Sequence, residues 1–147
     1  MTEIYAKFLA DINSGLDASS FLHTLDGKIE SLRLGNGLWE KAVFSTRLQI
    51  TEFDLGHGVN AGDLWKLSYD YGELNPDGSV NAAKNTGNIA RQTINFNGLA
   101  SPLVQAYQYD SLNRVTQAKE VSGNAQTWVQ NWNYDLYRNR IGFSKHG

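Results

Sequence analysis

The chain has 147 residues, a formal net charge of -2, 41% hydrophobic and 12% aromatic residues, and no cysteine. That length suits one domain with a real core, and the near-neutral charge gives no footprint for nucleic acid or an anionic membrane surface. The missing cysteines exclude disulfides and thiolate metal sites without fixing the compartment.

At the N-terminus, Ile4, Phe8, Leu9 and Ile12 recur at helical spacing before Asn13-Ser14-Gly15, so a short helix is expected within residues 1–20. No basic stretch followed by an apolar run marks a secretion signal, which leaves a longer parent free to be exported. No apolar run is long enough for a membrane-spanning helix, so membrane insertion is not expected. From Phe21 the pattern changes to short strands between Gly- and Asn-bearing turns. Asp26-Gly27 predicts a hairpin turn, Lys28 to Leu34 a strand, and Gly35-Asn36-Gly37 a second turn.

Three later stretches alternate with a period of two. Trp65, Leu67, Tyr69 and Tyr71 share one face, with Lys66, Ser68 and Asp70 on the other. Leu103, Gln105, Tyr107 and Tyr109 form a second stripe, and Trp128, Gln130, Trp132 and Tyr134 a third. Such stripes predict sheet with one buried face. Asn75-Pro76-Asp77-Gly78 and Ser122-Gly123-Asn124 supply turns, and residues 81–88 read as a loop or a poor edge strand.

Internal repetition is the strongest signal. Tyr109-Asp110-Ser111-Leu112-Asn113-Arg114 and Tyr134-Asp135-Leu136-Tyr137-Arg138-Asn139-Arg140 are variants of one phrase, their first tyrosines 25 residues apart. Phe44 and Tyr69 are also 25 apart, whereas Tyr69 and Tyr109 are separated by 40, a step that must hold extra strand or loop. A strand ending in Tyr-Asp puts the ring on the packed face. Its carboxylate can then accept backbone N–H bonds in the turn, and the following arginine can bridge to it or stack on a neighbouring ring.

These phrases resemble the tyrosine–aspartate (YD, or Rhs) repeat family. Tyr107-Gln108-Tyr109-Asp110 with Asn113-Arg114 is one copy, and Trp132-Asn133-Tyr134-Asp135 with Asn139-Arg140 is a second. Leu34-Gly35-Asn36-Gly37-Leu38-Trp39-Glu40 followed by Phe44-Ser45-Thr46-Arg47 resembles another phrase of bacterial Rhs arrays. The resemblance implies a short fragment of a spiralling all-β, antiparallel sheet, twisted or rolled, over residues 21–143, with 144–147 as a tail. Such sheets form hollow shells in bacterial polymorphic toxins and in the C component of Tc toxins, and similar shells serve adhesion in teneurins. The Asp-Pro phrases of the self-cleaving toxin shells are absent, since neither Pro76 nor Pro102 follows an aspartate.

The function this implies is a non-catalytic scaffold segment packing against neighbouring Rhs repeats or a partner chain, with a homo-oligomer expected from its uncapped edges. The alternative is a carbohydrate- or surface-binding module using Trp39, Trp65, Trp128 and Trp132, although aromatic stripes of period two more often serve as core. A remote third reading is a small hydrolase around His57 and a nearby carboxylate. His23, His57 and His146 share no metal-ligand spacing, and no nucleophile phrase accompanies His57. Asp63, Asp70 and Glu73 could be imagined as an acid–base pair, but a solvated face is preferred. No cofactor or metal is expected.

Overall fold

The structure, a computed structural model, describes residues 18–146. The fold is all-β and antiparallel, as the alternating aromatics predict. The chain divides into two compact units, Met1–Lys66 and Leu67–Gly147.

The first unit carries β1 (Ser19–His23), β2 (Ile29–Arg33), β3 (Trp39–Phe44) and β4 (Ile50–Gly56), each paired with the next. It also takes the first two residues of β5 (Trp65–Tyr71). There the Trp65 ring stands 5.4 Å from that of Phe53, and Lys66 Nζ bonds Glu52 at 2.8 Å.

The rest of β5 opens the second unit, followed by β6 (Glu73–Leu74), β7 (Val80–Asn81), β8 (Ile89–Phe96), β9 (Leu103–Tyr109), β10 (Val115–Ser122), β11 (Ala125–Tyr134) and β12 (Arg140–His146). Here β5, β8, β9, β10, β11 and β12 lie side by side in that order, and β6–β7 is a separate small hairpin. That hairpin occupies the long 40-residue step between Tyr69 and Tyr109. Residues 81–88, read as a loop or weak strand, end β7 and enter a single 3-10 turn, Ala82–Lys84, capped by Asn81 Oδ1 on the Ala83 amide. The expected helix around Ile4 to Ile12 lies outside the described residues. Residues assigned to a tail at 144–147 include Ser144, Lys145 and His146 of β12, where His146 pairs with Val129.

Among the described residues six connections share one geometry. In each five-residue turn the first amide donates to the fifth carbonyl, and the fourth amide donates back to the first carbonyl. The turns begin at Thr24, Leu34, Ser45, Asn75, Asp110 and Asp135. This is a type I turn followed by a residue of positive φ, the commonest three-residue hairpin loop. The fourth residue accordingly has φ of 85° at Gly27, 88° at Gly37, 62° at Leu48, 83° at Gly78, 59° at Asn113 and 72° at Arg138. The flanking pairs obey one step throughout: His23↔Ile29, Arg33↔Trp39, Phe44↔Ile50, Leu74↔Val80, Tyr109↔Val115 and Tyr134↔Arg140.

Burial is shallow. Among the described residues the fully buried apolar side chains are Ala42, Ala90, Ala106 and Ala118, and no large side chain is fully buried. The aromatic stripes on β5, β9 and β11 are half-buried, a departure from the core role preferred for them. The physical reason lies in the sheet itself: short alanines are covered by their longer neighbours, whereas rings standing above the sheet are covered only at their flanks. The interior polar group of the second unit is Glu120, satisfied by Gln105 Nε2 at 2.8 Å and Thr127 Oγ1 at 2.7 Å.

The positive φ at Leu48 and Arg138 is unfavourable for residues with a Cβ and free for glycine. Both are exposed, so little else constrains them. Leu48→Gly should raise stability by about 0.5–1 kcal/mol, and Gly78→Ala, with no atom near its Cβ position, should lower it by about 1 kcal/mol. Urea midpoints of the two variants check both signs.

Candidate functional site

The Tyr-Asp phrases open two of these turns. Asp110 Oδ1 accepts the amides of Leu112 at 2.9 Å and Arg114 at 3.0 Å, while Oδ2 accepts Arg114 Nε at 2.6 Å. Asp135 repeats this with the amides of Tyr137 and Asn139, both at 2.8 Å, and with Asn139 Nδ2 at 3.0 Å. The carboxylate thus replaces backbone partners that a tight loop cannot provide. Ser45 does the same with its hydroxyl, accepting the amides of Arg47 and Gln49, and Thr24 accepts the amide of Lys28. In the glycine phrase the third residue takes over, Asn36 Oδ1 accepting the Leu38 amide. Arg47 lies within the Ser45 turn.

The tyrosines reach backward. Tyr109 Oη donates to the Ile89 carbonyl at 2.8 Å and Tyr134 Oη to the Val115 carbonyl at 2.8 Å. Ile89 and Val115 are the first residues of β8 and β10, so each tyrosine ends its strand on the first carbonyl of the strand before it. The residue preceding that carbonyl supplies a second contact. Arg114 Cζ lies 4.5 Å from the Tyr134 ring centroid, a cation–π distance that joins two successive hairpins. Arg114 Nη1 is buried without a hydrogen-bond partner, its charge met by Asp110 and the Tyr134 face.

The first unit holds a counterpart that sequence reasoning missed: Lys28 Nζ stands 5.3 Å from the Phe44 ring, and Lys28 likewise ends its turn and precedes a strand. The available signal was the matching place of Lys28 and Arg114, each four residues after the side chain that opens its turn. The turns also shift one equivalence. Asn139, and not Arg140, stands where Arg114 stands, because the positive φ falls on Asn113 and Arg138. Arg140 instead begins β12, with its guanidinium 5.9 Å from the Phe143 ring. Tyr69, matched to Phe44 by spacing, lies inside β5 and opens no turn.

The remaining candidates are dispersed. Trp39 begins β3, Trp65 packs on Phe53, Trp128 pairs with Glu120 and Trp132 with Phe143, all half-buried. The three carboxylates imagined as an acid–base pair are bonded apart: Asp63 to His57, Asp70 to Arg91 and Glu73 to Lys84. His57 Nδ1 meets Asp63 Oδ2 at 2.7 Å and its amide meets Asp63 Oδ1 at 2.9 Å. A Cβ at Gly56 would stand 2.5 Å from that same Oδ1, so the glycine makes room for the clamp. His23 stacks on Phe21. Among the described residues no group of three or more His, Asp or Glu is placed to hold a metal. A polar cleft of about 510 Å³ lies beside the β6–β7 hairpin, lined among others by Lys84, Asn88, Tyr107, Tyr109 and Asn113.

No family model matches the chain, and no curated protein does. Among solved structures it is similar to the Tc holotoxin pore of Photorhabdus luminescens, with a TM-score of 0.61 at 15% identity. The likeness is one of fold. It takes in 87% of this chain and 7% of the other, so the chain spans a small fraction of the length of the protein it matches.

Hydrogen bonds to the ionised form hold the turn aspartates below the ordinary 3.8. Asp110 is held chiefly by the Arg114 amide, Asp135 by the Asn139 side chain, and Asp77 by the Ser79 hydroxyl. A depressed acid contributes stability above its unfolded pKa and loses it as pH falls through the folded one. Asp54 opposes this weakly, because burial and then Glu52 push it up. The urea midpoint should therefore fall as the pH drops below about 4, and Asp110→Asn should flatten part of that slope.

Proposed function

We propose that the chain is a non-catalytic structural β-repeat segment that packs against neighbouring repeats of the YD type or against a partner chain. The observation that carries this reading is the clasp between hairpins, in which Arg114 and Lys28, each the fifth residue of its turn, lie against Tyr134 and Phe44, the aromatics just before the Asp135 and Ser45 turns. Within the Tyr-Asp phrases the two tyrosines and Arg114 reach across to other strands, while the aspartates close their own turns and hold them in place. The half-buried aromatic stripes support it, since rings covered only at their flanks suit a sheet that gains further cover from adjoining structure. The fold likeness to a much longer toxin component supports it as well.

The clasp is tested by a double-mutant cycle. Tyr134→Phe should cost about 1 kcal/mol by leaving the Val115 carbonyl without its hydroxyl partner. Tyr134→Ala should cost about 2–3 kcal/mol, less than a fully buried ring would. Arg114→Ala should cost less in the Tyr134→Ala background than in the wild type, by a coupling of about 0.5–1 kcal/mol, the remainder being its bond to Asp110. Full additivity measured by chemical denaturation would mean the two side chains do not act together.

A second reading, carbohydrate binding, is favoured by the partly exposed indoles of Trp128 and Trp132 on one face of β11 and by the polar cleft beside β6–β7. Retention on a glycan array lost in Trp128→Ala but kept in Tyr134→Phe would move the balance to it. For catalysis, the His57–Asp63 pair orients an imidazole, and among the described residues its ring bonds a carboxylate and not a hydroxyl nucleophile. No turnover of ester, glycoside, phosphate or peptide substrates is expected, and an activity abolished by His57→Ala would sink the scaffold reading.

A further inference from the structure

The phrase that opens the Tyr-Asp turns occurs once more, at an edge. Phe21-Leu22-His23-Thr24-Leu25-Asp26-Gly27-Lys28 matches Tyr107-Gln108-Tyr109-Asp110-Ser111-Leu112-Asn113-Arg114 position by position. Each reads aromatic, any residue, aromatic, turn-opening oxygen, two loop residues, a residue of positive φ, then a cation. β1 is therefore the same kind of strand as β9 and β11. Those two strands are each laid against a preceding strand, and their final aromatic reaches its first carbonyl. Among the described residues of the first unit β1 pairs with β2 alone, and all five of its residues are exposed, Phe21 by 50% and Leu22 by 53%.

The opposite half of such a contact stands at the last strand of the second unit. Among the described residues of the second unit β12 pairs with β11 alone, and Ile141 and Phe143 are 67% and 55% exposed. Its first residue, Arg140, is the counterpart of Val115, whose carbonyl takes the Tyr134 hydroxyl, and Asn139 is the counterpart of Arg114 beneath that ring. β12 thus repeats the receiving strand β10, and β1 repeats the strand that β10 receives.

We propose that β12 of one chain receives β1 of a second copy, head to tail, in the register that β11 takes on β10. Continuing that register sets Phe21 of the second copy opposite Ile141 and brings the His23 ring N–H to the Arg140 carbonyl. The pairing buries the apolar side chains exposed on both edges and satisfies backbone groups of two strands that otherwise face water. Because the two surfaces differ, the contact is heterologous and each added copy presents a fresh β12, so the assembly grows beyond a dimer, into a ring where the rotation closes and a filament where it does not. Isologous pairing of β12 with β12 would instead stop at a dimer.

The proposal rests on reading the chain as a repeat segment, and its test separates the two. Light scattering and sedimentation over a concentration series should show the wild-type protein growing beyond a dimer. Ile141→Lys closes the receiving edge and Phe21→Lys the donating edge, and both positions are exposed enough to leave the fold intact. Each variant alone should be monomeric, with association weakened at least about tenfold. Mixed, they should form a one-to-one heterodimer, since each keeps the edge the other has lost. Phe143→Lys and Leu22→Lys serve in their place if either variant shows an altered circular dichroism spectrum. A monomeric wild type, a single variant that still self-associates, or a mixture that stays monomeric overturns the proposal. A monomeric wild type in which Tyr134→Phe is still destabilising would leave the scaffold reading standing.

Discussion

A five-residue hairpin turn is short of backbone acceptors for the amides of its third and fifth residues. One side-chain oxygen at the start of the loop and one residue of positive φ at its end resolve that shortage together. The rest of the structure depends on this solution. Because Asp110 and Asp135 are committed to their own turns, the rings of Tyr109 and Tyr134 just before them are held at the strand ends. From there each hydroxyl reaches the carbonyl that opens the preceding strand. The cation at the far end of the Asp110 turn is fixed by the same carboxylate, and it is this fixed guanidinium that meets the next tyrosine.

The oxygen that opens the turn is interchangeable in kind. Asp, Ser and Thr all serve at the first position, and Asn36 and Asp77 act from the third. Their electrostatic consequences differ. An aspartate brings an acid held below its usual range and an arginine partner, whereas Ser45 bonds the same two amides without charge. The clasp on Phe44 is correspondingly a longer contact with a lysine, and Phe44 has no hydroxyl to reach back with. The two units thus carry one device in a polar and an apolar form.

How much of this was legible in the sequence follows from which residues announce themselves. Asp26-Gly27, Gly35-Asn36-Gly37 and Asp77-Gly78 mark their turns because glycine is the residue that positive φ favours. The Ser45 and Asp135 turns place that φ on Leu48 and Arg138, which give no such mark. The absence of a glycine at Arg138 is also why Asn139-Arg140 looked like Asn113-Arg114 when the equivalent pair is Arg138-Asn139. Period two located β5, β9 and β11 but left the depth of burial open, since alternation shows that one face differs from the other and not what lies above it. The small hairpin β6–β7 showed its turn at Asp77-Gly78, whereas its two-residue strands are too short to show alternation. The contacts of Tyr109 and Tyr134 with carbonyls 20 and 19 residues away depend on the pairing of whole strands, and no local pattern encodes them.

The constant step across every such turn has a kinetic meaning. Each hairpin sets its own register from five consecutive residues, so pairing in one does not wait on pairing in another. The chain can therefore acquire its sheet by closing short loops, the cheap kind of contact for a β protein, whose usual slowness comes from distant strands having to find each other. A slip in one hairpin ends at the next turn instead of shifting every strand that follows.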